Sequence, residues 1–323
     1  MQSIIRGLVA AVAALWLGVA AAQQNYPTKP IRFIVTFPPG GSADLIARAL
    51  VPVLGDRLRQ QVLVENRPGA GGNIGMELVA RAAPDGYTMG LGAAGALAAN
   101  VSLYPKMPYD PVKDFAPVSN VAFVPFLLIA NPSLAANNLQ ELVALASARP
   151  GQLMLGYGGN GTAMHLSGEL FKLMAKIQLV NVPYKGSGPA AVDTVSGQLP
   201  LAMVDVASAI AQVKAGRLKA LAVTTARRIS AAPDVPTFAE AGLAGYEATG
   251  WFGVVMPAGT PPDIVGRMNT ELVAALKRQE IRERVIAAGA EPSPSTPEEF
   301  GALIRSEIVK WAEVVKASGA KLD

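Results

Sequence analysis

The sequence predicts an α/β protein with two lobes, each built on a mainly parallel β-sheet that is flanked by helices. Its 323 residues are enough for two domains of ordinary size. Strand-like apolar runs alternate with helical patterns from Ile31 to Thr225, which is typical of a parallel sheet covered by helices on both faces. The alternation then stops in a loop-rich segment, and the chain ends in one more strand and two helices. A chain that crosses between two lobes near 120–126 and again near 226–250 forms a cleft with a hinge.

The individual elements follow from two periodicities. Apolar runs bounded by Gly- and Pro-rich turns indicate strands, and apolar residues repeated every three or four positions indicate helices. In chain order the predicted elements are strand 31–37, helix 42–59, strand 61–66, helix 73–82, strand 87–92, a helix of small residues, one or two strands in 115–132, helix 138–148, strand 152–158, helix 163–175, strand 179–184, helix 188–196, strand 199–205, helix 206–215, strand 218–225, a short helix at 238–241, strand 251–257, and helices 261–278 and 297–317. We assign residues 23–123 plus 229–323 to the first lobe and residues 124–228 to the second.

The first residues have the pattern of a secretory signal peptide. After Arg6, an uncharged run extends from Gly7 to Ala22, which is shorter than the about 20 residues that span a bilayer. The run ends in three alanines that fit a cleavage site. We therefore expect a signal peptide, residues 1–22, cut after Ala22, and a soluble protein in the bacterial periplasm. An uncleaved N-terminal anchor is the alternative.

Composition excludes several kinds of chemistry. The absence of cysteine excludes disulfides, thiol nucleophiles, iron–sulfur clusters and Cys-ligated zinc. A single histidine, His165, excludes every metal site that needs two. The net charge of +4 is spread along the chain without a basic block, so we expect no nucleic-acid partner. We expect neither a metal nor a cofactor.

The turn FPPGGSAD is suited to hold an anion. It follows a strand and opens a helix at Ser42, and a helix N-terminus offers unpaired N–H groups and a positive dipole end. Glycine lets the backbone approach a ligand closely. No Lys-Ser or Lys-Thr follows the glycines, which argues against a nucleotide phosphate. The candidate binding residues are Phe37, Pro38, Gly40, Gly41, Ser42 and Asp44. The alternative is an ordinary strand-to-helix turn capped by Ser42 or Asp44.

A second turn, GYGGNGTAMH, repeats this arrangement in the other predicted lobe. It contains the spacing of a dinucleotide fingerprint, but no acidic residue follows about 20 positions later, which argues against NAD or FAD. Two helix N-termini would then face one cleft from opposite walls, at the carboxyl ends of the strands. Such a pair matches a dicarboxylate, or one carboxylate with a polar group beyond it. The candidates here are Asn160, Gly161, Thr162 and His165.

A third candidate is VPYKGSGPA, in which an aromatic wall and a cation precede backbone donors. It contributes Pro183, Tyr184, Lys185 and Gly186, with further donors at Ser187 and Gly188; a solvated surface turn is the alternative. Asp205 ends a strand, where it can cap the next helix or receive a ligand amine or hydroxyl.

Two other patterns have competing explanations. Ser42 and His165 could form a hydrolase pair, but the chain contains no G-x-S-x-G elbow, and we expect no catalytic residue. The stretch 65–75 is Gly-rich before a helix and is either another anion turn or a packing turn with Arg67 on a neighbouring carboxylate.

Taken together, the motifs resemble the periplasmic solute-binding receptors of tripartite tricarboxylate transporters, the Bug family. The stretches that carry the resemblance are YPTKPIRFIVTFPPGGSAD, VENRPGAGGNIG with PDGYT, LYPKMPYDPVKDFAPVS, GYGGNGTAMHLSGELF, VPYKGSGPA, AGRLKALAVTTARR and APDVPTFAEAGLAGYE. The resemblance implies a two-lobed "Venus flytrap" fold, like that of type II periplasmic binding proteins, which closes on a small organic carboxylate and requires no catalysis. It also implies a monomer that delivers its ligand to membrane permease subunits; a sensor kinase is the alternative partner.

Carried over by position, the resemblance implies binding loops at 37–44 and 160–165, a wall at 183–186, and Asp205. Backbone N–H groups, Ser42 and Thr162 would hold carboxylate oxygens. The family often has Ser or Thr after YTMGL, whereas this chain has Ala93 and further small apolar residues. This departure disfavours a strongly polar ligand such as citrate and leaves room for a more apolar acid.

Overall fold

The structure, a computed structural model, describes residues 26–320. The predicted signal peptide and its cleavage site lie outside the described residues. In chain order the elements are β1 (Ile31–Val35), α1 (Ser42–Leu58), β2 (Val62–Asn66), a 3₁₀ turn (Ala70–Gly72), α2 (Asn73–Ala80), β3 (Thr88–Ala93), a π turn (Gly95–Ala99), α3 (Asn100–Leu103), β4 (Phe115–Val124), β5 (Phe126–Ala130), α4 (Leu139–Ala148), β6 (Met154–Tyr157), α5 (Ala163–Ala175), β7 (Val180–Pro183), α6 (Ser187–Ser196), β8 (Leu201–Asp205), α7 (Val206–Lys214), β9 (Lys219–Val223), β10 (Gly250–Pro257), α8 (Pro262–Lys277), α9 (Gln279–Ala287), β11 (Glu291–Pro292) and α10 (Pro297–Ser318).

The strands of the described chain form two sheets, as the alternating pattern predicts. The first has the order β11-β4-β10-β3-β1-β2, and the second has the order β7-β6-β8-β5-β9. Both sheets are mixed. In the second sheet only β5 runs against its neighbours, and in the first sheet β10 and β11 run against the other four strands. The predicted two-lobed α/β fold is confirmed, as two mixed sheets in which four of the nine strand pairs are parallel and five are antiparallel.

The chain passes between the two sheets at two places that lie side by side. Only Pro125 separates β4 in the first sheet from β5 in the second. The return runs from β9 to β10 and meets the first crossing at Thr224, whose N–H donates to the Phe126 carbonyl and whose Oγ1 accepts from the Phe126 N–H, both at 3.0 Å. The Thr224 carbonyl also accepts from the N–H of Ala248 at 3.0 Å. These bonds join the two crossings, which lie far apart in the sequence.

The segment between β9 and β10 packs mainly on the second sheet. Ile229, Ala232 and Val235 are buried in a core cluster with Leu127 of β5. The exact residues at which the lobes divide stay a prediction.

Two details of the predicted elements are wrong. Residues 238–241 form hydrogen-bonded turns rather than a helix, with the Ala241 N–H donating to the Thr237 carbonyl. The predicted connection after α8 contains the helix α9, which sequence analysis missed because only Ile281 and Val285 give it a buried face. Within residues 26–320, no helix is both long and apolar enough to cross a membrane.

Candidate functional site

A cavity of about 300 Å³ lies between the two sheets, at the carboxyl ends of β1, β3, β6 and β8. This is the edge where open α/β sheets bind ligands. Ten residues predicted from the sequence line it: Phe37, Pro38, Gly40, Gly41, Ser42, Ala93, Thr162, Lys185, Gly186 and Asp205. The structure therefore brings together residues from three separate turns in the two lobes. Their role in binding stays a prediction.

The first-lobe wall of the cavity is the open N-terminus of α1. Gly41 occupies the N-cap position, where no side chain of the described residues caps the helix. The Ser42 hydroxyl is buried and has no hydrogen-bond partner within residues 26–320. A helix end without a side-chain cap, next to a hydroxyl without a partner, is suited to receive an anionic oxygen.

Asp44 holds this turn in shape and does not line the cavity. Its carboxylate accepts hydrogen bonds from the Gly40 N–H, from Nε of Arg48 and from Nδ2 of Asn66, all at 2.9 Å. Burial alone would raise the pKa of Asp44, but the hydrogen bonds from Arg48, Gly40 and Asn66 outweigh it and lower the pKa. The hydrogen bonds that the Asp44 carboxylate accepts therefore come from the protein and stabilise the turn.

The second-lobe turn differs from α1 because its own side chains satisfy it. Oγ1 of Thr162 caps α5 by accepting from the His165 N–H at 3.3 Å, and it donates to the Gly159 carbonyl at 2.7 Å. Oδ1 of Asn160 accepts from the hydroxyl of Tyr157 at 2.8 Å. Thr162 reaches the cavity, but its only hydroxyl proton is already donated, so the expected bond from Thr162 to a ligand oxygen is not available in this arrangement.

The open helix end of the second lobe belongs to α6. Gly186 is its N-cap with φ of 112°, a left-handed conformation that favours glycine, and no side chain between residues 26 and 320 caps the helix. Ser187, Gly188 and Pro189 follow and line the cavity. Ser187 accepts the Asp205 N–H at 3.3 Å and contacts Met164. The two uncapped helix ends at the cavity are therefore those of α1 and α6, from opposite lobes.

One cation and one carboxylate complete the polar part of the cavity. Lys185 is exposed, and no carboxylate within residues 26–320 lies at ion-pair distance from it. Asp205 caps α7 by accepting from the Ser208 N–H at 2.9 Å, as one of its two predicted roles requires. Lys185 can attract a ligand carboxylate from solvent, and Asp205 disfavours one close to itself.

Five further predicted residues do not line the cavity: Asn160, Gly161, His165, Pro183 and Tyr184. The His165 ring is buried and stacks on Tyr157, with ring centroids 4.8 Å apart. The hydroxyl of Tyr184 donates to Oδ2 of Asp193 at 2.8 Å. Because neither Oγ of Ser42 nor Nδ1 of His165 has a hydrogen-bond partner within the described chain, the two do not form a catalytic pair here.

The sequence predicted Phe37 and Pro38 as apolar lining but not the rest of the apolar wall of the cavity. Val124, Phe126, Trp251 and Phe252 line it, together with Met164. All but Met164 flank the two crossings between the sheets. These four residues lie within or next to the predicted crossings at 120–126 and 226–250. The two crossings bound the predicted cleft, so the position of these residues beside them was the signal that could have identified them.

Comparison with known proteins identifies the family of this chain. The sequence profile of the family described as "Tripartite tricarboxylate transporter family receptor" matches residues 46–320. Protein BugT of Bordetella pertussis is 41% identical over 308 residues, which cover 94% of each chain.

Two similar solved structures contain carboxylates. R. palustris Rpa4515 with adipate has a TM-score of 0.86 and 38% identity, over 92% of this chain and all of that one. MatC (Rpa3494) from Rhodopseudomonas palustris with bound malate has a TM-score of 0.83 and 33% identity, over 90% of this chain and 100% of that one.

The fold of two mixed sheets around one cavity and the match over most of the chain agree with each other. The chain belongs to the tripartite tricarboxylate transporter receptors, the Bug family of periplasmic solute-binding proteins.

Proposed function

We propose that this protein captures a small organic carboxylate between its lobes in the periplasm and delivers it to a membrane transporter of the tripartite tricarboxylate type. One observation carries the proposal. The uncapped N-termini of α1 and α6, on opposite lobes, line a single cavity. Each offers backbone N–H groups and a positive dipole end to an anion.

The ligand class follows from the wall between these two helix ends. Phe37, Phe126 and Phe252 are aromatic, and Ala93 and Ala94 offer no side-chain hydroxyl. A dicarboxylate with an unsubstituted chain would place one charge at each helix end and its methylenes on the apolar wall. We therefore propose an acid that resembles adipate rather than citrate. Adipate and malate in the relatives support a dicarboxylate of this size.

Binding is proposed to proceed by lobe closure. Only the closed arrangement lets one ligand contact both helix ends, so the ligand favours that arrangement. The proposed lobes are residues 23–123 plus 229–323 and residues 124–228, and the mature chain is proposed to be a monomer released by cleavage after Ala22. No catalytic step is proposed, since the Ser42 hydroxyl has no base bonded to it.

The test is thermal unfolding of residues 23–323 against adipate, malate, citrate, acidic amino acids and aromatic acids. A ligand at about 100 times its dissociation constant adds roughly 2.7 kcal/mol to stability, which raises the melting temperature by several degrees. We expect the largest shift with adipate-like acids. No shift with any acid, in protein that denaturing extraction shows to be free of bound ligand, would contradict the proposal.

Delivery to a permease has its own test. Deletion of this gene should abolish uptake of the labelled acid, and a plasmid copy should restore it. Unchanged uptake combined with loss of acid-induced transcription would instead assign the protein to a sensor kinase.

A further inference from the structure

One buried carboxylate lies behind the apolar wall of the cavity. Glu307 is on α10, and the residue is 8% exposed. Its Oε2 accepts hydrogen bonds from Nε1 of Trp311 at 2.8 Å and from Nε1 of Trp251 at 3.3 Å. Its Oε1 accepts from Nζ of Lys310 at 3.2 Å. Three donors thus hold one carboxylate, and two of them are indoles.

The Trp251 indole lies between two cavities and lines both of them. It is 1% exposed, and it lines both the ligand cavity and a second cavity of about 570 Å³ that also contains Glu307. Phe300 meets the indole edge-on, with ring centroids 5.5 Å apart. Because the indole forms part of the ligand cavity wall, its orientation determines the shape that the ligand meets.

A buried indole N–H requires an acceptor, since an unpaired one carries a desolvation cost. Glu307 is the acceptor that Trp251 has. The carboxylate also connects β10, which begins at the hinge, to α10, which contacts β4, the π turn and α5. The orientation of Trp251 is therefore tied to a helix that touches β4 of the first sheet and α5, which follows β6 of the second sheet.

We propose that Glu307 is a positioning residue that fixes the Trp251 indole as the wall of the ligand cavity and thereby sets the affinity for the ligand. The ligand part of this inference rests on the proposed function. Glu307 acts only through Trp251 and does not itself line that cavity. Trp311 provides the matched control, because its indole bonds the same oxygen of Glu307 yet does not line the cavity.

The binding experiment titrates adipate into wild type, Glu307→Ala, Glu307→Gln, Trp251→Phe, Trp311→Phe and the double variant Glu307→Ala/Trp251→Phe by calorimetry. We expect Glu307→Ala and Trp251→Phe each to weaken affinity by about tenfold, the size of one lost hydrogen bond. Glu307→Gln keeps an acceptor and should restore affinity, and Trp311→Phe should bind like wild type. The double variant should bind no more weakly than Trp251→Phe, because the two residues act as a unit. Additive losses, no rescue by Gln, or an equal loss in Trp311→Phe would overturn the inference.

A second readout does not depend on the ligand. Of the three tryptophans, Trp16 lies in the predicted signal peptide, so ¹⁵N-labelled protein of residues 23–323 gives two indole N–H signals, and Trp311→Phe assigns them. In Glu307→Ala the Trp251 signal should shift and exchange faster with solvent, and Glu307→Gln should restore it. If wild type binds no acid, the proposed function fails, yet this signal still decides whether Glu307 holds Trp251. An unchanged Trp251 signal in Glu307→Ala would overturn the inference.

Discussion

The Ser42 hydroxyl lies at the first turn of α1, where the first lobe meets the cavity. It is buried, and no partner within residues 26–320 satisfies it. Burying a hydroxyl without a partner costs roughly 1–3 kcal/mol. A ligand oxygen that accepts its proton removes this cost, so the residue favours the ligand-bound state over the empty one.

Replacing Ser42 by alanine should therefore weaken adipate binding and leave the ligand-free fold intact. A hydrogen bond to a charged oxygen contributes roughly 1.5–3 kcal/mol, which predicts a rise in the dissociation constant of about tenfold or more. Calorimetric titration measures the affinity, and thermal unfolding without ligand should show a melting temperature no lower than that of wild type, because the variant removes the unpaired hydroxyl. Ser306→Ala, at an exposed serine of α10, is the control. Wild-type affinity in Ser42→Ala would refute this role.

A second charged network stabilises the second lobe away from the cavity. Glu169 on α5 is 5% exposed, and it bonds Nζ of Lys172 and Nδ2 of Asn181, each at 2.6 Å. Nε2 of His165 lies 3.6 Å from its Oε1. Burial alone would raise the pKa of Glu169, but His165, Lys172 and Asn181 outweigh it and lower the pKa to about 2. The sequence predicted His165 as a ligand contact, whereas in the structure His165 lies beside the buried carboxylate of Glu169.

The lowered pKa predicts an acid-dependent loss of stability. Because the folded-state pKa lies below the ordinary value of 4.5, the contribution is complete above about pH 4.5 and is lost as pH falls toward 2. Glu169→Gln should therefore lower the free energy of unfolding at pH 7, and the difference from wild type should shrink between pH 4.5 and 2. Urea unfolding across this range measures it, with Glu313→Gln at an exposed position as the control. A difference that does not change with pH would rule out the predicted linkage.

At the scale of elements, glycines let turns of the two lobes touch. A Cβ placed on Gly95 of the π turn would lie 2.2 Å from the Gly161 carbonyl oxygen, and one on Gly71 would lie 3.0 Å from the carbonyl oxygens of Asn160 and Gly161. The turn before α5 thus rests on the π turn and the 3₁₀ turn of the first lobe. Asn160 and Gly161, marked by the sequence as ligand contacts, lie at this contact between lobes.

Gly95→Ala should therefore disfavour the closed arrangement without touching the ligand. The chain has no cysteine, so spin labels at Leu45→Cys and Val192→Cys, both at exposed positions on α1 and α6, report the distance between the lobes. Adipate should shorten that distance in labelled protein that keeps Gly95, and it should shorten the distance much less in labelled Gly95→Ala. The Gly95→Ala variant should also bind adipate about tenfold more weakly. Gly266→Ala, where a Cβ meets open space, is the control. Equal shortening and equal affinity would show that this contact does not determine closure.

The elements show what a sequence can predict and where it fails. The strand–turn–helix pattern at Phe37 to Asp44 predicted a helix N-terminus suited to an anion, and it left a cap by Ser42 or Asp44 as the alternative. In the structure Gly41 is the N-cap, and it has no side chain to act as a cap. The same pattern at Thr162 predicted a second open end, but a threonine before a helix can cap it, and here it does. Only the three-dimensional structure distinguishes a hydroxyl that faces the ligand from one that bonds its own backbone. Most of the apolar wall was missed for a related reason, since hinge residues carry no local motif.

At the scale of the whole molecule, the two lobes share more than a hinge. The second lobe's α5 and the first lobe's β4 are both in contact with α10. Tyr246, in the segment that returns to the first sheet, donates to the Ser167 carbonyl of α5 at 2.9 Å. The proposed closure therefore moves two lobes that remain connected at one side.

The central claim is that two helix ends on opposite lobes bind the two charges of one dicarboxylate. Calorimetric titration of residues 23–323 with adipate and with its uncharged diamide tests it most directly. We expect saturable one-to-one binding of adipate and at least a hundredfold weaker binding of the diamide, since two charge-assisted sets of hydrogen bonds are lost. Binding of the diamide as tight as that of the acid would contradict it, because affinity would then come from the apolar wall alone.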